Sequence, residues 1–267
     1  MTSTARPEGA SPRTFVGVAA LLFAVSAAVT ISWARSMAAM GGMDMPGGWT
    51  MSMAWMPMSG QSWSGAAASF LGMWIVMMVA MMLPSLIPML RRYRQAVVGS
   101  GGTRLDWLTA LAGAGYFLVW GGFELAAFPL GAGLAKAVME RPALACAVPI
   151  AAGVLVLLAG AFQLSRWKAR HLACCRELPG RGTSLPAEPG MAWRHGLRLG
   201  LHCVGCSGGL MAMLLVLGVM DLRVMTIVAA AITIERLAPA GERVARAIGV
   251  VVLGGGVLLI ARAAGVG

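Results

Sequence analysis

Long apolar stretches alternate with short polar segments along the chain, a pattern that predicts membrane-spanning helices. A membrane helix needs about 20 mostly apolar residues in succession. Seven segments approach or reach this length, and the last two are short enough to be half-length or tilted elements: Thr14–Ala34, Ala66–Leu90, Trp107–Ala127, Ala143–Ser165, Leu199–Met220, Val224–Ile234 and Ile248–Ala261. We therefore predict an all-α fold, a polytopic transmembrane bundle of six or seven helices in a single membrane domain over residues 1–267.

The composition excludes an ordinary soluble domain. Hydrophobic residues make up 58% of the chain, charged residues only 12%, and the mean hydropathy is +0.78. Soluble domains carry about 25% charged residues. In a soluble protein the net charge of +11 would suggest a nucleic-acid partner. Here it indicates basic loops, so we expect a lipid bilayer as the surroundings and no nucleic acid.

The basic residues predict the orientation, because short loops rich in Lys and Arg stay in the cytosol. With the N-terminus inside, sixteen of the 21 Lys and Arg lie on the cytosolic side and five lie outside. The inverted orientation would force the most basic loop, residues 166–198, across the membrane. We expect a multi-pass protein of a bacterial inner membrane, with a cytosolic N-terminus and a basic cytosolic loop at 166–198.

The segment at 35–64, predicted to lie outside, is unusually rich in methionine. It holds eight Met within 22 residues, at positions Met37, Met40, Met43, Met45, Met51, Met53, Met56 and Met58. Thioether sulfur is a soft, neutral ligand that favours Cu(I) over harder cations, and it works in oxidising surroundings where a thiol would be lost. The alternative is an interfacial loop that seats these Met and the neighbouring Trp at the lipid boundary.

A second group of methionines follows one side of the second predicted span, at Met73, Met77, Met78, Met81 and Met82. This spacing of three to five residues covers roughly half of a helix circumference. Packing in the core explains such a stripe, and so does a metal path that continues inward from the outer segment.

Cysteine and histidine form the second candidate site. His171 and Cys175 share a helix face beyond the fourth span, and Cys203 and Cys206 form a Cys-x-x-Cys pair in the fifth. A reducing cytosol keeps such thiols free for metal. We predict that these four share one metal ion. The spacing fits both tetrahedral Zn, with three Cys and one His, and Cu(I), which is satisfied by two or three thiolates. His202 could replace His171, and Cys174 is a reserve ligand.

Several motifs, in order along the chain, resemble the DUF2182 family. They are Met-Gly-Gly-Met-Asp-Met-Pro-Gly-Gly-Trp at 40–49, Met-Met-Leu-Pro-Ser at 81–85, Ala-Gly-Ala-Phe-Gln-Leu at 159–164 with Lys168, and Gly-Leu-His-Cys-Val-Gly-Cys at 200–206, continuing to Leu210-Met211. The resemblance implies a metal-binding integral membrane protein, a group sometimes labelled copper chaperones. It places family cysteines at Cys175, Cys203 and Cys206. The chain departs at His171 and Ser207, where a Cys would be expected.

The predicted function is therefore metal handling in the membrane: capture, transfer or sensing of Cu(I), with a soluble metal-accepting protein as a candidate partner. We expect no enzyme activity. The alternatives are a structural or partner-binding subunit that packs through its Met-rich helix face, and a thiol–disulfide oxidoreductase that uses Cys203 and Cys206. Glu124 is expected to reach the membrane interface, and Glu235 with Arg236 could form an internal ion pair.

Overall fold

A computed structural model describes residues 12–56, 60–98, 102–180 and 182–265. Most of these residues are helical. The elements follow in the order α1 (Pro12–Met40), β1 (Met43–Met45), β2 (Trp49–Met51), a 3-10 turn (Met53–Trp55), α2 (Trp63–Ala96), β3 (Val97–Val98), α3 (Gly102–Glu140), α4 (Pro142–Gln163), α5 (Arg166–Glu177), β4 (Leu185–Pro186), α6 (Pro189–Leu217), α7 (Leu222–Leu237) and α8 (Gly241–Ala263). The predicted all-α fold is confirmed.

Six of the described helices, namely α1, α2, α3, α4, α6 and α8, are long and apolar enough to cross a membrane. The helices extend beyond the predicted segments: α3 has 39 residues, whereas the pattern suggested a span over Trp107–Ala127. The segment Val224–Ile234 lies in α7, whose 16 residues do not reach the length of a full span. Ile248–Ala261 lies within α8, which does.

One end of the bundle, called here the basic end, is where α2 ends and α6 begins. There Tyr93 stacks on His195 with ring centres 4.8 Å apart. At the same end β3 pairs in parallel with β4, and Arg104 donates to the carbonyl of Ala187 at 2.7 Å. The opposite end, called the Met-rich end, carries β1, β2 and the 3-10 turn.

Helix α7 connects the two ends in spite of its short length. Asp221 caps its start, directly after α6 has reached the Met-rich end. Near its end, Glu235 pairs with Lys168 at the start of α5. At 1.5 Å per residue, α7 spans roughly 24 Å, less than the ≈ 30 Å hydrocarbon layer. The chain thus runs between the two ends seven times, and α8 finishes at the Met-rich end.

Glycines allow the closest helix contacts. A Cβ atom at Gly153 in α4 would lie 3.3 Å from the carbonyl oxygen of Gly256 in α8, and one at Gly160 would lie 3.1 Å from that of Gly249. Between α3 and α6, a Cβ at Gly196 would overlap the backbone of Ala112. Small residues at such contacts are typical of helix packing in membranes, where close backbone approach replaces hydrophobic driving force.

The outward faces of the helices are apolar. Leu21 in α1, Leu130 in α3 and Val251 in α8 are 65%, 74% and 73% exposed. Large apolar surfaces of this kind are not left in water. The arrangement is that of a bundle surrounded by lipid, with its polar side chains gathered inside.

Candidate metal centre

Three buried cysteines meet inside the bundle, and we call them the thiol centre: Cys175, Cys203 and Cys206. Cys203 and Cys206 lie three residues apart on α6, so they share its inward face. The chain turns between α4 and α5, where Ser165 caps the start of α5, and Cys175 of α5 then lies with its Sγ 3.8 Å from the Sγ of Cys206. This contact, together with burial, raises the pKa of the Cys175 thiol well above its usual range.

A buried arginine points at the thiol centre. Arg236 is near the end of α7 and only 3% exposed. Its Nη2 lies 2.5 Å from the Sγ of Cys203, 3.5 Å from that of Cys206 and 3.0 Å from the hydroxyl of Ser207. Its Nη1 donates to the hydroxyl of Ser85 in α2 at 3.0 Å. The guanidinium therefore joins α2, α6 and α7 around the two α6 thiols.

Helix α3 adds two more polar groups on the sulfur of Cys203. The Tyr116 hydroxyl lies 2.9 Å from this sulfur, and the indole Nε1 of Trp120 donates to it at 3.3 Å. Both residues are buried and lie four apart, so one face of α3 supplies them. Together with Arg236, they supply the hydrogen bonds that a negatively charged sulfur accepts, whether free or bound to a metal.

A separate buried ion pair lies beside the thiol centre. The Lys168 ammonium donates to the Glu235 carboxylate at 2.6 Å and also to the side-chain carbonyl of Gln163. Gln163 in turn donates to the other carboxylate oxygen at 2.6 Å. Burial lowers the pKa of Lys168, and the adjacent Glu235 opposes this effect.

Two sequence predictions are wrong at this point. The expected ion pair between Glu235 and Arg236 does not form, because successive side chains on a helix point in different directions. Arg236, counted among the cytosolic basic residues, is buried in the bundle instead.

His171 lies next to the thiol centre, on the side toward the surface. Its Nδ1 is 3.1 Å from the Nδ1 of His202, and both rings are half-buried. The ring rests on Gly205, where a Cβ atom would come within 2.5 Å of it. Gly205 precedes Cys206, and His202 precedes Cys203, so His171 lies against residues next to both α6 thiols in the chain.

The predicted ligand set is thus brought into one region, but as two contacts: Cys175 with Cys206, and His171 with His202. Among the described residues, no group of three or more His, Cys, Asp or Glu has the arrangement of a metal site. The shared metal at His171, Cys175, Cys203 and Cys206 stays a prediction. Cys174 is exposed.

At the Met-rich end, part of the methionine segment folds into a hairpin. Met43 pairs directly with Met51, so their side chains lie on one face of the β1–β2 ladder. Gly47 and Gly48, with φ of 98° and 73°, form the turn. The indole of Trp49 donates to the carbonyl of Ala145 at 2.9 Å and ties the hairpin to the start of α4.

The other methionines of this segment are spread over different elements. Met37 and Met40 lie in the last turn of α1, and Met45 belongs to β1. Met53 begins the 3-10 turn, and Met56 follows it. Met58 lies outside the described residues. The α4 residue Cys146 is exposed, and its Cα would lie 3.1 Å from a Cβ at Gly47.

The methionine stripe of α2 faces the interior. Met77, Met78, Met81 and Met82 are at most 4% exposed, and Met73 is half-buried. The four buried methionines lie between Trp74 and Ser85, and Ser85 is bonded to Arg236. Aromatic rings in contact with one another follow the same route, from Trp55 in the 3-10 turn to Trp120, which bonds to Cys203. The distances between ring centres are 5.1 Å for Trp55–Phe70, 6.1 Å for Phe70–Trp74, 6.4 Å for Trp74–Phe123 and 5.6 Å for Phe123–Trp120.

Glu124 does not reach the interface as expected. It is 1% exposed, and both carboxylate oxygens lack a hydrogen-bond partner within the described part of the chain. It follows Tyr116 and Trp120 at four-residue steps along α3. Such a position in the bundle interior is costly for a charged carboxylate.

Residues 71–259 match the family PpoB2, described as a copper chaperone. This stretch includes α2 from its first turns, the thiol centre and nearly all of α8. The chain belongs to this copper chaperone family. The match begins after the methionine hairpin, so it covers the thiol centre and leaves the hairpin outside. No curated protein and no solved structure matches this chain.

Sequence reasoning did not connect most of the polar groups that surround the thiols with the thiol centre. Tyr116 and Trp120 belong to no recognisable motif. Ser85 and Ser207 entered only through the family resemblance, and Arg236 only as a possible partner of Glu235. The signal that could have found Arg236 is its position at the end of a predicted apolar segment, since a charge inside a membrane bundle is a functional candidate by default.

Proposed function

We propose that this protein binds Cu(I) at the thiol centre and passes it between the two ends of the bundle. The observation that carries the proposal is the meeting of three buried thiols from α5 and α6, two of them held by a guanidinium and one with two further polar contacts. Packing alone does not require an arginine to be buried against sulfur. The family assignment to copper chaperones supports the same reading.

The chemistry of the site favours Cu(I) over Zn. Cu(I) is soft and is satisfied by two or three thiolates, whereas structural Zn takes four ligands. The fourth ligand in the predicted set, His171, makes its contact with His202 instead of a thiol. The thiol centre by itself offers the lower number of soft ligands that Cu(I) accepts.

The methionine hairpin is proposed as the capture site at the other end. The paired thioethers of Met43 and Met51 lie on one face, and the buried α2 methionines extend from that end toward Ser85 and Arg236. A neutral thioether binds Cu(I) more weakly than a thiolate. Transfer from the hairpin to the thiol centre would therefore be favourable.

By the positive-inside rule, we propose that the basic end faces the cytosol. The membrane that we propose is the inner membrane of a bacterium. In this orientation the methionines face the oxidising side and the thiols the reducing side, which suits both ligand types. A soluble metal-accepting protein would approach the half-exposed pair of His171 and His202. We propose a carrier and no catalysed reaction.

The two competing functions have less support. A subunit that packs on a partner through its Met-rich face would need that face free, but four of the five methionines are buried within this chain. An oxidoreductase must present its thiols to a substrate, and Cys203 and Cys206 are at most 1% exposed. Both observations favour a small cargo that enters the bundle.

Metal stoichiometry on the purified protein tests the proposal. In detergent, under reducing conditions, we expect the wild type to retain Cu(I) at the thiol centre. Changing Cys203→Ser together with Cys206→Ser should abolish that retention, because it removes both α6 sulfurs. The matched control is Cys146→Ser, which changes an exposed cysteine at the far end.

Copper is measured after gel filtration, and the folded fraction of each variant is checked on the same column. A double variant that keeps the wild-type amount of copper would overturn the thiol centre as the binding site.

A further inference from the structure

Arg236 carries a permanent positive charge, and no carboxylate in the described part of the chain bonds to it. A guanidinium is protonated at every physiological pH. Within the described residues, its polar contacts are the hydroxyls of Ser85, Tyr116 and Ser207 and the sulfurs of Cys203 and Cys206. In a membrane interior such a charge needs compensation by a nearby negative one.

The adjacent ion pair does not supply that compensation. The Glu235 carboxylate is bonded to Lys168 and Gln163, and its Oε atoms make no contact with Arg236. Lys168 and Glu235 together add no net charge, whichever of the two holds the proton. Among the groups that contact Arg236, the two thiols ionise more readily than the hydroxyls, so we assign the balancing negative charge to sulfur.

The contacts of Arg236 also show which sulfurs lie close enough for their negative charge to balance the guanidinium. Its Nη2 reaches Cys203 and Cys206, both on α6, while the nearest sulfur contact of Cys175 is with Cys206. Two thiolates that share one monovalent cation form a complex with a single net negative charge. Beside Arg236 this complex is neutral, whereas the same two thiolates with a divalent cation would leave one uncompensated positive charge.

We propose that Arg236 determines which metal the thiol centre accepts, by balancing the charge of a monovalent soft cation held between Cys203 and Cys206. This inference rests on the proposed copper function and adds a physical basis for metal choice. Arg236 is a positioning and charge-balancing residue in this scheme. It does not bind the metal itself, because a guanidinium has no lone pair to offer.

The alternative charge balance uses Cys175. A divalent cation held by three thiolates would also be neutral beside Arg236. The wild type would then retain Zn(II) at the thiol centre, and Cys175→Ser would abolish that retention. Our proposal predicts instead that Cys175→Ser leaves the retention of a monovalent ion in place, because the third sulfur is not needed for neutrality.

The test compares Ag(I), a soft monovalent ion that is not oxidised in air, with Zn(II) on the purified full chain. Apparent affinities come from competition with chelators, and retention by the C203S/C206S variant is subtracted as background. We expect the wild type to prefer Ag(I), and Arg236→Gln to shift the ratio of the two affinities toward Zn(II) by about a hundredfold or more, as for a buried charge that loses its partner.

Arg236→Lys is the matched control, since it keeps the charge and should keep the preference for Ag(I). A folded Arg236→Gln protein with the wild-type ratio would overturn the inference while leaving copper binding intact. If Arg236→Gln does not fold, the wild type alone decides, because Zn(II) retained at its thiols as tightly as Ag(I) contradicts the proposal. A wild type that retains neither ion at these cysteines refutes the proposed function itself.

Discussion

At the scale of single residues, the absence of a side chain is what brings the thiols to their partners. Gly196 and Gly200 let α6 approach α3 until a Cβ at Gly200 would lie 3.0 Å from the carbonyl oxygen of Tyr116. One turn further along, Tyr116 and Trp120 reach the sulfur of Cys203. The two glycines thus set the distance across which those contacts form.

Gly196→Ala should therefore damage both stability and metal retention. The added methyl group would overlap the Ala112 backbone, which cannot rotate away as a side chain could. We expect a loss of about 1–3 kcal/mol in the free energy of unfolding, as for other overpacked sites. Thermal unfolding in detergent measures the stability, and Ag(I) titration measures the retention.

Gly208→Ala, on the same helix, is the control for this experiment. A Cβ atom there meets only the side chain of Val204, at the ordinary contact distance of 3.8 Å. Its melting temperature should equal or slightly exceed that of the wild type, because Ala favours a helix more than Gly does. Equal melting temperatures for the two variants would mean that the α3–α6 contact is not tight at Gly196.

At the scale of elements, the two proposed metal-binding segments differ in how they are built. The thiol centre is held by packed helices and buried hydrogen bonds, so its geometry is fixed before a metal arrives. The hairpin is a short two-stranded ladder, joined to α4 by the Trp49 indole. Its methionines are partly exposed, apart from Met51. This difference suits a fast capture site and a tight holding site.

The double change Met43→Leu and Met51→Leu tests the hairpin as the capture site. Leucine is apolar and has nearly the same side-chain volume as methionine, but the double change removes both sulfur atoms. We expect Ag(I) to load the protein several-fold more slowly at limiting metal, while the amount finally held by the thiol centre stays the same. Stopped-flow loading against a metal-sensitive dye measures the rate.

Met139→Leu provides the comparison, because Met139 is an exposed methionine in α3 that belongs to neither predicted site. It should load at the wild-type rate. An unchanged rate in the double variant would reduce the hairpin to a hydrophobic cover over the Met-rich end.

At the scale of the whole molecule, the short helix α7 decides the topology. Six helices long enough to span would return the chain to its starting side, but α7 carries it from the Met-rich end back to the basic end before α8 begins. The seven passes place the end of α8 opposite to the start of α1. A buried Arg236 near the end of a short helix is tolerated because protein, rather than lipid, surrounds it.

Reporter fusions test this arrangement. A phosphatase active only outside the cytosol, fused after residue 60 or residue 263, should be active, and the same fusion after residue 185 should be silent. A fluorescent reporter that folds only in the cytosol should give the opposite pattern. If the fusions after 185 and 263 report from the same side, α7 does not complete a pass; if those after 60 and 185 do, the number of spans before α6 is wrong.

The sequence by itself determined the helical bundle, because spans in a membrane follow from the length and apolarity of single segments. It also selected the cysteines that the structure buries in one region: Cys203 and Cys206 form a local motif, and Cys175 shares a helix face with His171. Such motifs also carried the resemblance to DUF2182, whereas the family that residues 71–259 match is PpoB2, described as a copper chaperone. These features are local in the chain, so they can be recognised without knowledge of the fold.

The tertiary structure alone decided which polar groups meet. Lys168 belongs to the segment 166–198 that was predicted to be a basic cytosolic loop, yet it is fully buried with Glu235. Arg236 is bonded to sulfur rather than to the adjacent carboxylate. A sequence shows which residues are charged. The free-energy cost of burying such a residue is offset by partners that lie dozens of residues away in the chain. Such pairings depend on how the helices rotate and cross, and this is set by small-residue contacts such as those of Gly196 and Gly160 that no single segment contains.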